Sequence, residues 1–117
     1  MTKSLSIEEV ELLSFFEVEP TACEPELPWV YNDSVYEVRD ARCQLSFAIA
    51  PAAKDVRVLL NLDGVLLYEL NAVAIEDVRL HKDKGRESLE IIVSRGDSVW
   101  LRTKPNISIR HQVADEP

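Results

Sequence analysis

From Ser34 onward the chain alternates apolar and polar residues with period two, and this rhythm limits the fold more than any other feature of the sequence. "SVYEV", "CQLSFAIA", "DVRVLLNL", "VLLYELNA", "EDVRL", "ESLEIIVS", "SVWLRT" and "NISIRH" read as successive strands rich in Val, Ile, Leu and aromatic residues. Only short links such as "RDAR", "PAAK", "DKGR", "RGD" and "KPN" separate them. A parallel crossover needs roughly a dozen residues, so neighbouring strands are expected to pair antiparallel and in sequence order.

Register decides the turns, because a slip of one residue moves every side chain to the opposite face. In "DVRVLLNLDGVLLYEL" a bare Asp63-Gly64 turn puts Arg57 and Asn61 on the face of Leu66, Tyr68 and Leu70. A three-residue loop over Leu62, Asp63 and Gly64 instead sets Val56, Val58 and Leu60 against Leu70, Tyr68 and Leu66, and is the expected register. The same test on "LEIIVSRGDSVWLRT" places Arg95, Gly96 and Asp97 together in a loop. It pairs Val93 with Val99, Ile91 with Leu101 and Glu90 with Arg102. The Arg-Gly-Asp triplet thus reads as a hairpin tip, where tight turns favour Gly and Asp, and not as an adhesion signal.

Before Ser34 the pattern changes. Ser6 and Glu9 are spaced as a capping box, Leu5 and Val10 as the staple around it, and Pro20 ends the helical pattern. Residues 1–17 are therefore expected to hold a helix that buries Val10, Leu13 and Phe16, with Phe15 among the polar positions. Residues 18–33 form an acidic connector that Pro20, Pro25 and Pro28 keep extended. The sheet follows over 34–111 and a tail over 112–117. The expected fold class is α+β in one domain: an N-terminal helix packed on a curved antiparallel β-meander of six to eight strands. Its inner face holds Phe47, Ile49, Val58, Leu60, Tyr68, Leu70, Leu89, Ile91, Val93, Leu101 and Ile109. A content of 46% hydrophobic residues supplies such a core.

Charge is distributed unevenly. Residues 1–33 hold eight carboxylates against Lys3, which is −7 of the total −8. Nucleic acid and anionic membrane both call for a basic surface, so neither is expected as a partner. A basic protein is, because the acidic field steers its approach. The opening "MTKSLSIEEVELLSFFEVE" lacks the unbroken apolar stretch of a signal or transit peptide, which predicts a cytoplasmic protein.

No motif for chemistry emerges. Cys23 and Cys43 read as free thiols, and His81 and His111 as solvated residues at strand ends. Glu76 and Asp77 are adjacent on a strand and point to opposite faces. No cofactor, metal or catalytic residue is expected, and the chain reads as a non-enzyme. The favoured function is an interaction module, such as a small acidic inhibitor or immunity-type protein that masks a basic enzyme. Its expected contacts are Glu8, Glu11, Glu17, Glu19, Glu24 and Glu26, with Phe15, Trp29 and Tyr31 as apolar anchors. Two other readings remain: a carrier for a small hydrophobic ligand in a bent sheet, and a homodimer joined through an edge strand such as "SVYEV" or "NISIRH".

Overall fold

Each alternating run forms a strand in the computed structural model, which describes residues 5–114. The first four residues of the expected helix, Lys3 among them, and the last three of the expected tail lie outside that range. A helix, α1 (Glu9–Phe16), is followed by a two-residue strand β1 (Thr21–Ala22) and a 3₁₀ turn (Trp29–Tyr31). Then come β2 (Ser34–Asp40), β3 (Cys43–Ala50), β4 (Asp55–Leu62), β5 (Val65–Ala72), β6 (Asp77–Asp83), β7 (Arg86–Ser94), β8 (Asp97–Arg102) and β9 (Ser108–Val113). The class is α+β.

The single sheet expected from the sequence is in fact two. One has the order β1-β2-β3-β4-β5 and the other β6-β7-β8-β9, so the strands number nine and every pairing joins consecutive strands. The break falls at residues 73–76, where Ala74 takes a left-handed φ of 51°. The Ile75 N–H donates back to the Lys54 carbonyl at 2.9 Å, and the next N–H, that of Glu76, donates to the Ile92 carbonyl at 2.9 Å. The backbone thus changes partner sheet within one residue, with Ile75 buried at the switch.

Both tested hairpins keep most of the expected faces but reach them differently, and Leu66, expected opposite Leu60, pairs with Asn61 and is exposed. Leu62 pairs with Val65 across a two-residue turn, Asp63 and Gly64 having φ of 51° and 81°. That is the primed turn which two-residue hairpins prefer. A register shift after Leu60 then aligns Leu60 with Tyr68 and Val58 with Leu70, not with Leu66 and Tyr68. In the next case Ser94 pairs with Asp97 across Arg95-Gly96, and a shift between Ile92 and Ser94 follows. Ile91 therefore lies opposite Val99, Leu89 opposite Leu101 and Glu90 opposite Trp100. A bulge inserts one residue into a strand and so corrects the face that the shorter turn would otherwise have reversed.

The residues expected on the inner face all lie in or against one apolar core fed by both sheets. The helix differs from expectation. Its cap is Glu8, whose N–H donates to the Glu11 carboxylate at 2.9 Å, and Val10 stands exposed. Phe16 is buried as expected and Leu13 half-buried against the core, while Leu12 and Phe15 are buried in place of Val10. Phe16 stacks on Tyr36 with centroids 5.2 Å apart and lies 5.2 Å from Phe47, while Phe15 meets it edge-on at 4.8 Å.

Ser6 serves a different purpose from capping. Its N–H and its hydroxyl each donate to the Asp77 carboxylate at 2.7 Å, which ties the segment before α1 to the start of β6. Burial alone pushes the Asp77 carboxyl up, but donors from Ser6, the Val78 N–H and Arg79 overcome this and hold it below the usual carboxylate range. A folded-state value below the unfolded one adds stability above about pH 4 that is lost as pH falls through the folded value. Asp77→Asn is thus expected to lower stability at neutral pH by about 1–3 kcal/mol. The gap to the parent protein should narrow on acidification, as read from urea midpoints measured across pH.

Candidate partner-binding surface

The acidic connector is a built loop and not an extended linker. Thr21 pairs with Val35 and Ala22 with Ser34, and the Cys23 N–H extends this ladder to the Asp33 carbonyl at 2.9 Å. Between these ends the chain folds back around Asn32, which is only 5% exposed. The Asn32 Oδ1 accepts from the N–H groups of Glu24 (3.1 Å) and Asp33 (3.0 Å). Its Nδ2 donates to the carbonyls of Glu24 (2.7 Å) and Leu27 (3.1 Å). One amide thereby uses both its donors and both lone pairs on the loop that encircles it.

Two further contacts hold the loop to the first sheet. The Trp29 indole N–H donates to the Tyr36 hydroxyl at 3.1 Å, and the Ala52 N–H donates to the Val30 carbonyl at 3.1 Å. At its end, Asp33 receives Arg57 at 2.7 and 2.8 Å. The prolines at 20, 25 and 28 fit a loop whose backbone bonds are made mainly by other residues.

The sequence-derived contact residues fall into three groups. Glu19, Glu24, Glu26 and Tyr31 are exposed on or beside this loop, Tyr31 to 67%. Leu27 and Val30 are also exposed there, at 41% and 37%, so apolar and acidic side chains are displayed together. Glu8 and Glu17 are exposed at the two ends of α1, Glu17 beside Lys104 at 2.5 Å, while Glu11 is half-buried and bonded to the cap. Phe15 and Trp29 belong to the third group: Phe15 is 2% exposed inside the core, and Trp29 is half-buried against Tyr36. Phe15 therefore offers nothing to a partner.

The Tyr36 hydroxyl is pushed up chiefly by burial and further by the charges of Glu9 and Glu19, against the donated Trp29 bond. Two acids from separate elements thus act on the same atom. Sequence reasoning missed Leu27 and Val30, and it took Asn32 for a turn residue without its four bonds to the loop. An asparagine closing a proline-rich turn was a usable signal for Asn32, since its side chain readily bonds nearby backbone.

Elsewhere, His81 and His111 are exposed as expected but are not merely solvated. Each places Nε2 near a carboxylate: Glu90 at 2.8 Å and Asp97 at 2.6 Å. Among the described residues no group of three or more His, Cys, Asp or Glu side chains is arranged to hold a metal ion. A depression of about 380 Å³ near the β6–β7 hairpin is lined by Lys82, Gly85, Arg86, Glu87, Thr103, Lys104 and Pro105. Among the described residues no helix is long and apolar enough to cross a membrane.

No protein-family model and no curated protein matches the sequence. The fold is similar to that of a chain in a solved structure described as "Contact-dependent growth inhibition toxin - immunity protein complex from Klebsiella pneumoniae 342". The TM-score is 0.78 at 18% sequence identity, over 95% of this chain and 97% of that one. At that identity the likeness is one of fold, and it runs through nearly the whole of both chains.

Proposed function

We propose that this chain is a non-enzymatic interaction module of the immunity type, a small cytoplasmic protein that binds and masks a basic protein. The observation that carries the reading is the end-to-end fold likeness to a chain of a toxin–immunity complex. The charge distribution supports the immunity role, since −7 of the net −8 lies in the first 33 residues. The contact face is centred on Glu19, Glu24, Glu26 and Tyr31, with Leu27 and Val30 supplying apolar area. Glu8, Glu11, Glu17 and Trp29 are assigned the lesser contacts. Carboxylates around an apolar patch suit a cationic surface that would otherwise hold phosphates, such as that of a nuclease.

A pull-down from source-cell lysate tests this, with the parent bait and a Glu19→Lys/Glu24→Lys/Glu26→Lys bait. A basic protein should be captured by the parent bait and lost at ~0.5 M salt, where exposed charges are screened. The triple reversal should weaken the purified pair about 100-fold. Capture insensitive to both salt and charge reversal sinks the proposal.

A second reading, self-association, rests on β5 rather than on "SVYEV", which as β2 lies between β1 and β3. The β5 edge strand exposes Val65, Leu66 and Leu67 in succession, at 61%, 50% and 57%. In the same experiment, recovery of an untagged copy of the chain as the sole captured protein favours this reading over the first.

A further inference from the structure

The outward face of the second sheet gathers three arginines around Trp100. Its register lays Arg79, Glu90, Trp100 and Arg110 in one row across four strands. In the neighbouring row His81 lies opposite Ser88, and Arg102 opposite Ser108. Ser88, Trp100, Arg102, Ser108 and Arg110 line a depression of about 150 Å³.

The groups around it are held in place. The Arg102 Nε donates to the Ser88 hydroxyl at 2.9 Å, and Ser88 is itself buried. The Arg110 guanidinium lies over Trp100, 5.7 Å from the ring centroid, and His81 packs against the same indole at 5.0 Å. Arg79 and His81 already have carboxylate partners in Asp77 and Glu90. Arg102 and Arg110 have none among the described residues. Glu90, the acid in the Trp100 row, is 15% exposed and bonded to His81. The Trp100 indole N–H is buried without an acceptor among the described residues.

We propose that this depression is a phosphate-binding site. Arg102 and Arg110 clasp the anion and the Ser108 hydroxyl donates to it, beside the Trp100 ring that also lines the depression. Two guanidinium groups in a lining that holds no carboxylate match a dianion better than a single carboxylate, and their planar forks fit phosphate oxygens two at a time. The depression is smaller than the roughly 300 Å³ at which pockets for drug-sized ligands begin. It therefore takes a free phosphate ion or the phosphate group of a larger molecule. The site lies on a different sheet from the acidic loop, and it stands or falls independently of the proposed function.

Trp29 and Trp100 are the two tryptophans, so a ¹⁵N-labelled sample has two indole N–H resonances and an internal control. With inorganic phosphate titrated at constant ionic strength, the Trp100 resonance should move to saturation while that of Trp29 stays in place. Arg102→Gln and Arg110→Gln should each weaken this response about tenfold or more. The rest of each variant's spectrum reports whether the fold is intact. Arms with adenosine monophosphate and a phosphoserine peptide identify the source: tighter saturation by either supports the site and names the kind of molecule that brings the group. A non-saturating drift shared by both indoles overturns the proposal. So does an unchanged response in the Arg110→Gln protein, or equal saturation by acetate.

Discussion

Phe16→Ala should destabilise the protein by about 3–5 kcal/mol, the usual cost of emptying a buried aromatic site. The ring is 3% exposed and touches three others, stacking on Tyr36, lying against Phe47 and meeting Phe15 edge-on. Its loss removes buried area together with the aromatic pairing energy, and a helix of eight residues has too few internal bonds to persist without that anchor. Against a typical stability of about 5–15 kcal/mol, the variant is left marginal, with a melting temperature lower by about 10–20 °C. Val10→Ala on the exposed side of the same helix should stay within about 0.5 kcal/mol of the parent. Calorimetry or urea denaturation of the two variants checks both values. A cost for Phe16→Ala as small as that for Val10→Ala would mean that α1 is not docked as described.

Asn32→Ala should cost about 2–4 kcal/mol and disorder the acidic loop while the sheets remain. The substitution strands the Glu24 and Asp33 N–H groups and the Glu24 and Leu27 carbonyls, all now bonded by one buried side chain. Asn32→Asp separates the two halves of that role. It keeps both acceptor bonds but turns a carboxylate oxygen toward two carbonyl oxygens that the amide now bonds from 2.7 and 3.1 Å. That geometry favours the protonated acid in the folded state, so the folded pKa rises above the unfolded ~3.9. The penalty is then greatest at neutral pH and fades as pH falls toward 4. Amide exchange at residues 23–33, followed with pH for both variants, reads the effect directly. If this loop presents the partner-binding face, Asn32→Ala also abolishes capture without removing a single charge.

The strands were legible because period-two alternation is a local signal, and each of the eight runs became one. What was not legible depends on geometry between strands. The turns at Asp63-Gly64 and Arg95-Gly96 each hold one residue fewer than the face test required, and a bulge makes up the difference. The face test sees parity only, so apart from Leu66 it identified the correct inner faces while misplacing the partners by two positions. The split into two sheets left no glycine or proline as a marker. It depends on Ile75 and Glu76 bonding to opposite sides, Lys54 and Ile92, which no window of sequence contains. The helix was misread for a similar reason. Ser6 has the chemistry of a cap, but its partner Asp77 lies 71 positions away. Of the binding surface, the acidic content was visible in composition. The pairing of Leu27 and Val30 with those acids was not, because the fold of the loop around Asn32 decides which side chains face outward.

The Ser6–Asp77 contact also bears on the order of folding. Every strand pairing is between neighbours in the chain, so each sheet can zip from its own hairpins with little loop entropy to overcome. The helix depends on distant residues. During synthesis α1 leaves the ribosome well before β6 exists, and a nascent chain ending after β5 has no Asp77 to receive Ser6 and no second sheet to complete the core around Phe15. The segment made early is therefore the segment locked late, and the acidic loop joined to it has to wait for the rest of the chain before its anchor is secure.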